Sequence, residues 1–118
     1  MSNLNRVVLI GRLTRPVELR HTQSGKAVAN FTLAVNRRVR DEADFIPVVA
    51  WDKQAESCAQ YIGKGSLVAV EGRLQVRKYE DKDGNNRVIA EVVADSVQFL
   101  DSKKREPGDI IDDSDIPF

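Results

Sequence analysis

The segment RLQVRKY alternates in a way that a protein core does not. With period two, Arg73, Gln75, Arg77 and Tyr79 share one face of a strand, and Leu74 and Val76 share the other. A face reading basic, polar, basic, aromatic suits a groove that follows a phosphate backbone while bases stack on rings. Guanidinium neutralises phosphate and releases counterions, whereas a ring's π-face accepts any base at about 1–3 kcal/mol each. A second segment, DFIPVVAW, sets Phe45, Pro47, Val49 and Trp51 on one side and Ile46, Val48 and Ala50 on the other. Its two rings point the same way, but periodicity leaves both open between a stacking surface and the core. The cluster Arg37, Arg38 and Arg40 adds charge nearby, and Phe31 in AVANFTLAV is expected in the core.

Other chemistry finds little support. His21 stands beside a turn with no nucleophile or carboxylate at a recognisable spacing, and no serine lies in a glycine-flanked elbow. One cysteine, Cys58, and one histidine cannot build a metal site, and the acids lack the glycine-punctuated spacing of a calcium loop. The expectation is a protein that is not an enzyme and holds no cofactor and no metal. The lone cysteine fits a reduced compartment, no basic-then-apolar leader opens the sequence, and no apolar run suits a membrane.

The net charge of zero conceals an asymmetry. Residues 1–105 carry all 18 Lys and Arg against 13 acids, a balance of +5. Residues 106–118 hold five acids and no base, and end in DDSDIPF. A basic body with an acidic end implies a polyanion for the body and a basic partner for the tail. In the tip, Asp112, Asp113 and Asp115 precede Ile116, Pro117 and Phe118. Apolar residues behind acids fit capture of a chain end by an apolar pocket with a basic rim. The same tail could also fold back on the basic body and compete with a polyanion.

These groups must be positioned by a small β domain. NRVVLIGRL is a strand with Val7, Val8, Leu9 and Ile10 in one run, so both its faces should be buried, one of them against another subunit. Gly11 fits a bulge or a close backbone approach. VELRHT and AVANFTLAV form a hairpin around QSGK, and DFIPVVAW follows. In DKQAESCAQYIGKG, Ala55, Cys58, Ala59 and Ile62 make the stripe of a short helix, with Asp52 as N-cap and Gly63 or Gly65 in the left-handed position just past its C-terminal end. Cys58 then faces the core. SLVAVEGRLQVRKY and RVIAEVVADSVQFL close a long hairpin over Asp83-Gly84. Five principal strands with a helix between the third and fourth give an all-β OB-fold, a five-stranded Greek-key barrel, over residues 1–102. Residues 103–118 are expected to be a disordered acidic tail.

The segments NRVVLIGRLTRPVELR, SGKAVANFTLAVNR, DFIPVVAW, YIGKGSLVAVEGRLQVRKYEDKDG and EVVADSVQFL, followed by the acidic tip, together resemble the bacterial single-stranded DNA-binding protein family. The resemblance implies base stacking by Phe45, Trp51 and Tyr79, and a homotetramer built through the strand that contains Val7, Val8, Leu9 and Ile10. It also implies a cytoplasmic, nucleoid-associated protein of replication, recombination and repair that recruits partners through its tip. Contacts to the backbone of single-stranded DNA are expected from Arg6, Arg12, Arg20, Arg37, Arg38, Arg40, Lys64, Arg73, Arg77, Lys78 and Arg87. A fourth stacking position of the family falls here on Val39, in a shortened loop. The long linker usual before the tip is nearly absent, which points toward a specialised, phage or plasmid version. Two other readings are an OB-fold adaptor in a primosome or recombination complex and an RNA-binding OB domain.

Overall fold

The computed structural model describes residues 4–39 and 41–101. The expectations for the tail and its tip, and for Arg40, therefore lie outside the described residues. Six strands and one helix follow in the order β1 (Val7–Leu13), β2 (Glu18–His21), β3 (Ala27–Asn36), β4 (Ala43–Trp51), α1 (Asp52–Tyr61), β5 (Leu67–Glu80) and β6 (Asn86–Phe99). The sheet runs β1-β5-β6-β4-β3-β2, and β1 pairs with β3 as well. That extra pairing closes the five long strands into a barrel, with β4 and β6 parallel through Val48–Val92 and Val49–Val93. The helix falls between the third and fourth of these strands, as expected of an OB-fold. The sixth strand, β2, is a four-residue exposed edge on β3.

Alternation decides which side chains enter. Along β3, Ala27, Ala29, Phe31 and Leu33 are buried, and the residues between them are not. Val48, Ala50, Val68, Val70 and Val92 complete the interior, and the helix seals one side with Ala55 and Cys58, followed by the buried Ile62. Burial pushes the Cys58 thiol up to about 11, so it stays protonated and apolar near neutral pH. Among the described residues no helix is long and apolar enough to cross a membrane.

Two local expectations need correction. Asp52 does not cap the helix: Trp51, in extended conformation, is the N-cap, and Asp52 follows it at φ 56. A short polar residue tolerates this left-handed geometry better than a β-branched one. No glycine takes a left-handed C′ position either: the C-cap is Ile62, Gly63 follows it without a positive φ, and Gly65, at φ 87, belongs to the next turn, where its N–H donates to the Leu13 carbonyl at 2.8 Å. Of the two roles expected of Gly11, the close backbone approach is the one observed, since a Cβ there would stand 2.6 Å from the Ala34 carbonyl oxygen. Within a single chain β1 is covered on one face only. Val7 and Leu9 pack against the core, whereas Val8 and Ile10 are 64% and 57% exposed.

The irregularity in the barrel lies instead between Glu71 and Gly72, where the β5–β6 register shifts by one residue. At that point a Cβ on Gly72 would collide with the Val93 carbonyl oxygen. Gly72→Ala is expected to lower the unfolding free energy by about 3 kcal/mol or more, because backbone must move to admit the methyl group. Gly25→Ala, in open space at φ 89, should cost only about 1 kcal/mol. Urea denaturation of both variants checks this. Equal losses would mean that β5 and β6 do not approach so closely.

Candidate nucleic-acid interface

The face of the barrel opposite the core residues of β4 is open. Phe45, Pro47, Val49 and Trp51 project to this side, opposite Ala34, Thr32, Asn30 and Val28 of β3. Across the parallel pairing, Val49 meets Val93 of β6, and Val93, Glu91, Ile89 and Arg87 stand opposite Arg73, Gln75, Arg77 and Tyr79 of β5. The alternation read from two separate segments therefore converges on one surface. Phe45, Trp51 and Tyr79 are 67%, 41% and 43% exposed, which decides against a core role for the two rings of β4. Phe31 is buried, as expected.

A groove of about 760 Å³ crosses this surface, floored by Val28, Val49 and Val93 and bounded by Trp51, Arg20, Arg73, Gln75 and Arg77. A smaller recess of about 200 Å³ adjoins it, between Pro16, Pro47 and Ile89. Trp51 is placed doubly, as the last residue of β4 and as the N-cap of α1. Both elements would have to shift to move its Cα.

The expected phosphate contacts divide into groups. Arg20, Arg73 and Arg77 line the groove. Arg37 lies in the β3–β4 loop, bound to Asp44 at 2.7 Å and to Glu42 at 3.4 Å; hydrogen bonding and charge from Asp44 raise its pKa. Arg12 donates to the Gly65 carbonyl at 2.9 Å and faces Asp101, and Arg6 pairs with Glu71 beside Val8; neither lines the groove. Arg38, Lys64 and Lys78 are exposed with no acid partner among the described residues. Arg20–Glu18 at 3.4 Å and Arg73–Asp95 at 3.8 Å are exposed pairs of low strength, so an incoming phosphate can replace the carboxylate.

Sequence reasoning missed several lining residues. Glu91 is buried under the groove, and Asn30, Thr22, Lys26 and His21 add polar groups to its wall. A signal existed for two of them. Asn30 interrupts the apolar run AVANFTLAV on the outward parity, and Glu91 does the same in VIAEVVADSV. Leu74 and Val76 were placed on a face away from the ligand, and they are 46% and 59% exposed rather than covered by a core. Past Gly72 β5 no longer has β1 beside it, and past the Val48–Val92 pairing β5 and β6 continue as a two-stranded arm.

A closed barrel with a groove across its strands, and with rings set among guanidinium groups on that face, defines an OB-fold of the nucleic-acid-binding type. A sequence model described as the Single-strand binding protein family matches residues 4–100, and the chain belongs to that family. It is 55% identical over 108 residues to Single-stranded DNA-binding protein 1 of Staphylococcus aureus strain MSSA476, an alignment covering 87% of this chain and 69% of the relative. It is 57% identical over 103 residues to the Single-stranded DNA-binding protein of Clostridium tetani, covering 83% and 71%. Single-stranded DNA-binding protein 3 of Listeria innocua is 54% identical over 110 residues, covering 89% and 69%.

The tip of the arm is organised by one carboxylate. Asp81 Oδ2 accepts from Arg87 Nε at 2.8 Å, while its Oδ1 accepts from the backbone N–H groups of Asn85 at 2.9 Å and Asp83 at 3.0 Å. Because Arg87 pairs with Tyr79 in register, this turn also fixes the neighbour of an exposed ring. The Arg87 hydrogen bond, then that of Asn85, holds the Asp81 carboxyl below its ordinary 3.8. A depressed carboxylate supports the fold above the ordinary value and loses that support as pH falls through the depressed one. The amide resonances of Asp83 and Asn85 should therefore move together in an acid titration, with a midpoint under 3.8. A midpoint at or above that value would show that the turn does not hold the anion.

Proposed function

We propose that this chain binds single-stranded DNA without sequence preference, as part of replication, recombination and repair. The observation that carries this reading is the placement of Phe45, Trp51 and Tyr79, exposed on one face around a groove edged by Arg20 and Arg73. Unpaired bases offer π-faces to rings, whereas a duplex hides them between its own stacked pairs. Preference for single strands follows from that difference, and indifference to sequence follows because stacking reads no base edge. Exposed arginines exchange their carboxylates for phosphates as the strand arrives. The relatives' names, as single-stranded DNA-binding proteins, support the same ligand. We assign the chain no catalytic step.

The reading extends to assembly and partners. Val8 and Ile10 stand exposed beside Ala69, Glu71, Ser96 and Gln98, and a second copy covering that face would remove them from water, as in the proposed homotetramer. The tip Asp112, Asp113, Asp115, Ile116, Pro117 and Phe118 is the proposed recruitment site for replication and repair proteins, in the bacterial cytoplasm with the nucleoid. Its acids and terminal apolar residues support that reading.

Trp51 is the sole tryptophan, so its fluorescence reports on the groove directly. Oligo(dT) should quench it strongly, with affinity falling as salt rises and with little response to duplex of equal length. Phe45→Ala and Tyr79→Ala should each weaken binding by roughly tenfold or more, the scale of one lost stack. Equal affinity for duplex and single strands would sink the mechanism.

A further inference from the structure

Two recesses adjoin on the open face, one reaching Trp51 and one lying by Pro47 toward Phe45. Three residues line both of them: Asn30, Arg77 and Glu91. A strand passing along β4 from Trp51 to Phe45 must cross this saddle. Glu91 is the one buried charged side chain among the described residues, at 4% exposure. A carboxylate on the floor of an anion-binding groove would repel its ligand unless something neutralises it. Arg77 Nε does so with a hydrogen bond at 2.7 Å, and Gln75 Nε2 adds a longer one at 3.4 Å.

This pair differs from the others nearby. In Arg20–Glu18 and Arg73–Asp95 both side chains are more than half exposed, so water screens each partner when they part. If Arg77 left Glu91 to follow a phosphate, an uncompensated charge would remain in a buried position. Bound by its Nε edge, the guanidinium is neutralised and fixed in orientation, yet its side chain is still 53% exposed. A planar cation held this way offers a face, and guanidinium planes stack on bases.

We propose that Arg77, locked by Glu91, is a stacking platform for a base in the saddle between Trp51 and Phe45, rather than the phosphate contact its charge alone implies. The inference rests on the single-stranded DNA reading above and names a positioning role for Glu91 within it.

The test compares oligo(dT) with an abasic strand of equal length, each titrated at several salt concentrations. Arg77→Lys keeps the charge and removes the plane. It should weaken binding to oligo(dT) by roughly tenfold, leave the abasic strand within about twofold, and keep the salt slope of the wild type. Arg73→Gln, the phosphate-type control, should weaken both probes alike and reduce the slope by about 0.7. Because Arg77→Lys disturbs a buried pair, the double variant Arg77→Leu with Glu91→Leu provides a second reading. It preserves net charge and should lose affinity for oligo(dT) with no change in slope. The proposal is overturned if Arg77→Lys binds oligo(dT) like the wild type or weakens both probes equally. It is also overturned if the double variant loses slope as Arg73→Gln does. Failure of the wild type to prefer single strands to duplex would instead overturn the functional reading itself.

Discussion

The open face exists because β1 is shared between two neighbours. Val7 through Arg12 pair with β5, and Arg12 and Leu13 pair with β3, so Arg12 stands at the point of transfer. A strand can change partners over so short a length only if the barrel coils tightly and the backbones come close. Gly11, against the Ala34 carbonyl, permits that approach. Once the sheet has closed, every strand has an inside and an outside, and period two sorts the side chains between them. The buried set of β3 and β4 and the exposed set that faces the groove are two consequences of one closure.

Charge on this surface is more restrained than the count of basic residues implies. The groove is lined by Arg20, Lys26, Arg73 and Arg77 but also by Asp52 and Glu91. Several further arginines are engaged by acids at its margins, among them Arg37 and Arg87. Such pairs shield the free protein from nonspecific attraction and yield to phosphate at small cost, because exposed ion pairs contribute about 0–1 kcal/mol. In the proposed function the rings are then left to discriminate. A surface with the same cations unpaired would attract duplex and single strands alike, since the phosphate term carries no information about base pairing.

Much of this was legible in the sequence, because alternation is a local property that survives folding. The order of elements, the helix stripe through Ala55 and Cys58, the burial of Phe31 and the common face of Phe45 and Trp51 all follow from spacing. What spacing does not carry is where a strand leaves the barrel. Leu74 and Val76 have the pattern of an inward face, but β1 accompanies β5 only as far as Gly72 and β4 accompanies β6 only as far as Val92, so the closed sheet ends beside them. Asp52 has a capping side chain, yet the turn from β4 into α1 requires a left-handed residue at that point and gives the cap position to Trp51. Glu91 was legible as a polar break in an apolar strand, but its burial depends on Arg77 and Gln75 reaching it across the β5–β6 pairing. Contacts between elements decide such cases, and no single segment contains them.

The three exposed rings are held with unequal firmness, and that inequality fits a ligand of variable shape. Trp51 belongs to a strand and a helix at once, and Phe45 lies within a strand paired to β3. Tyr79 sits on an arm of two strands, a structure of marginal stability in isolation. Two fastenings compensate. At the root of the arm, the Asn5 side chain donates to the Leu74 carbonyl at 2.8 Å and accepts from its N–H at 2.9 Å. At the tip, Asp81 gathers Arg87 and two backbone amides. Between them the register is unbroken from Leu74–Val92 to Glu80–Asn86. A flexible backbone places successive bases at varying separations, so the proposed sequence-independent site gains from one ring held by the barrel and one carried on a two-stranded arm. The barrel supplies the first by closure, and the outrunning hairpin supplies the second.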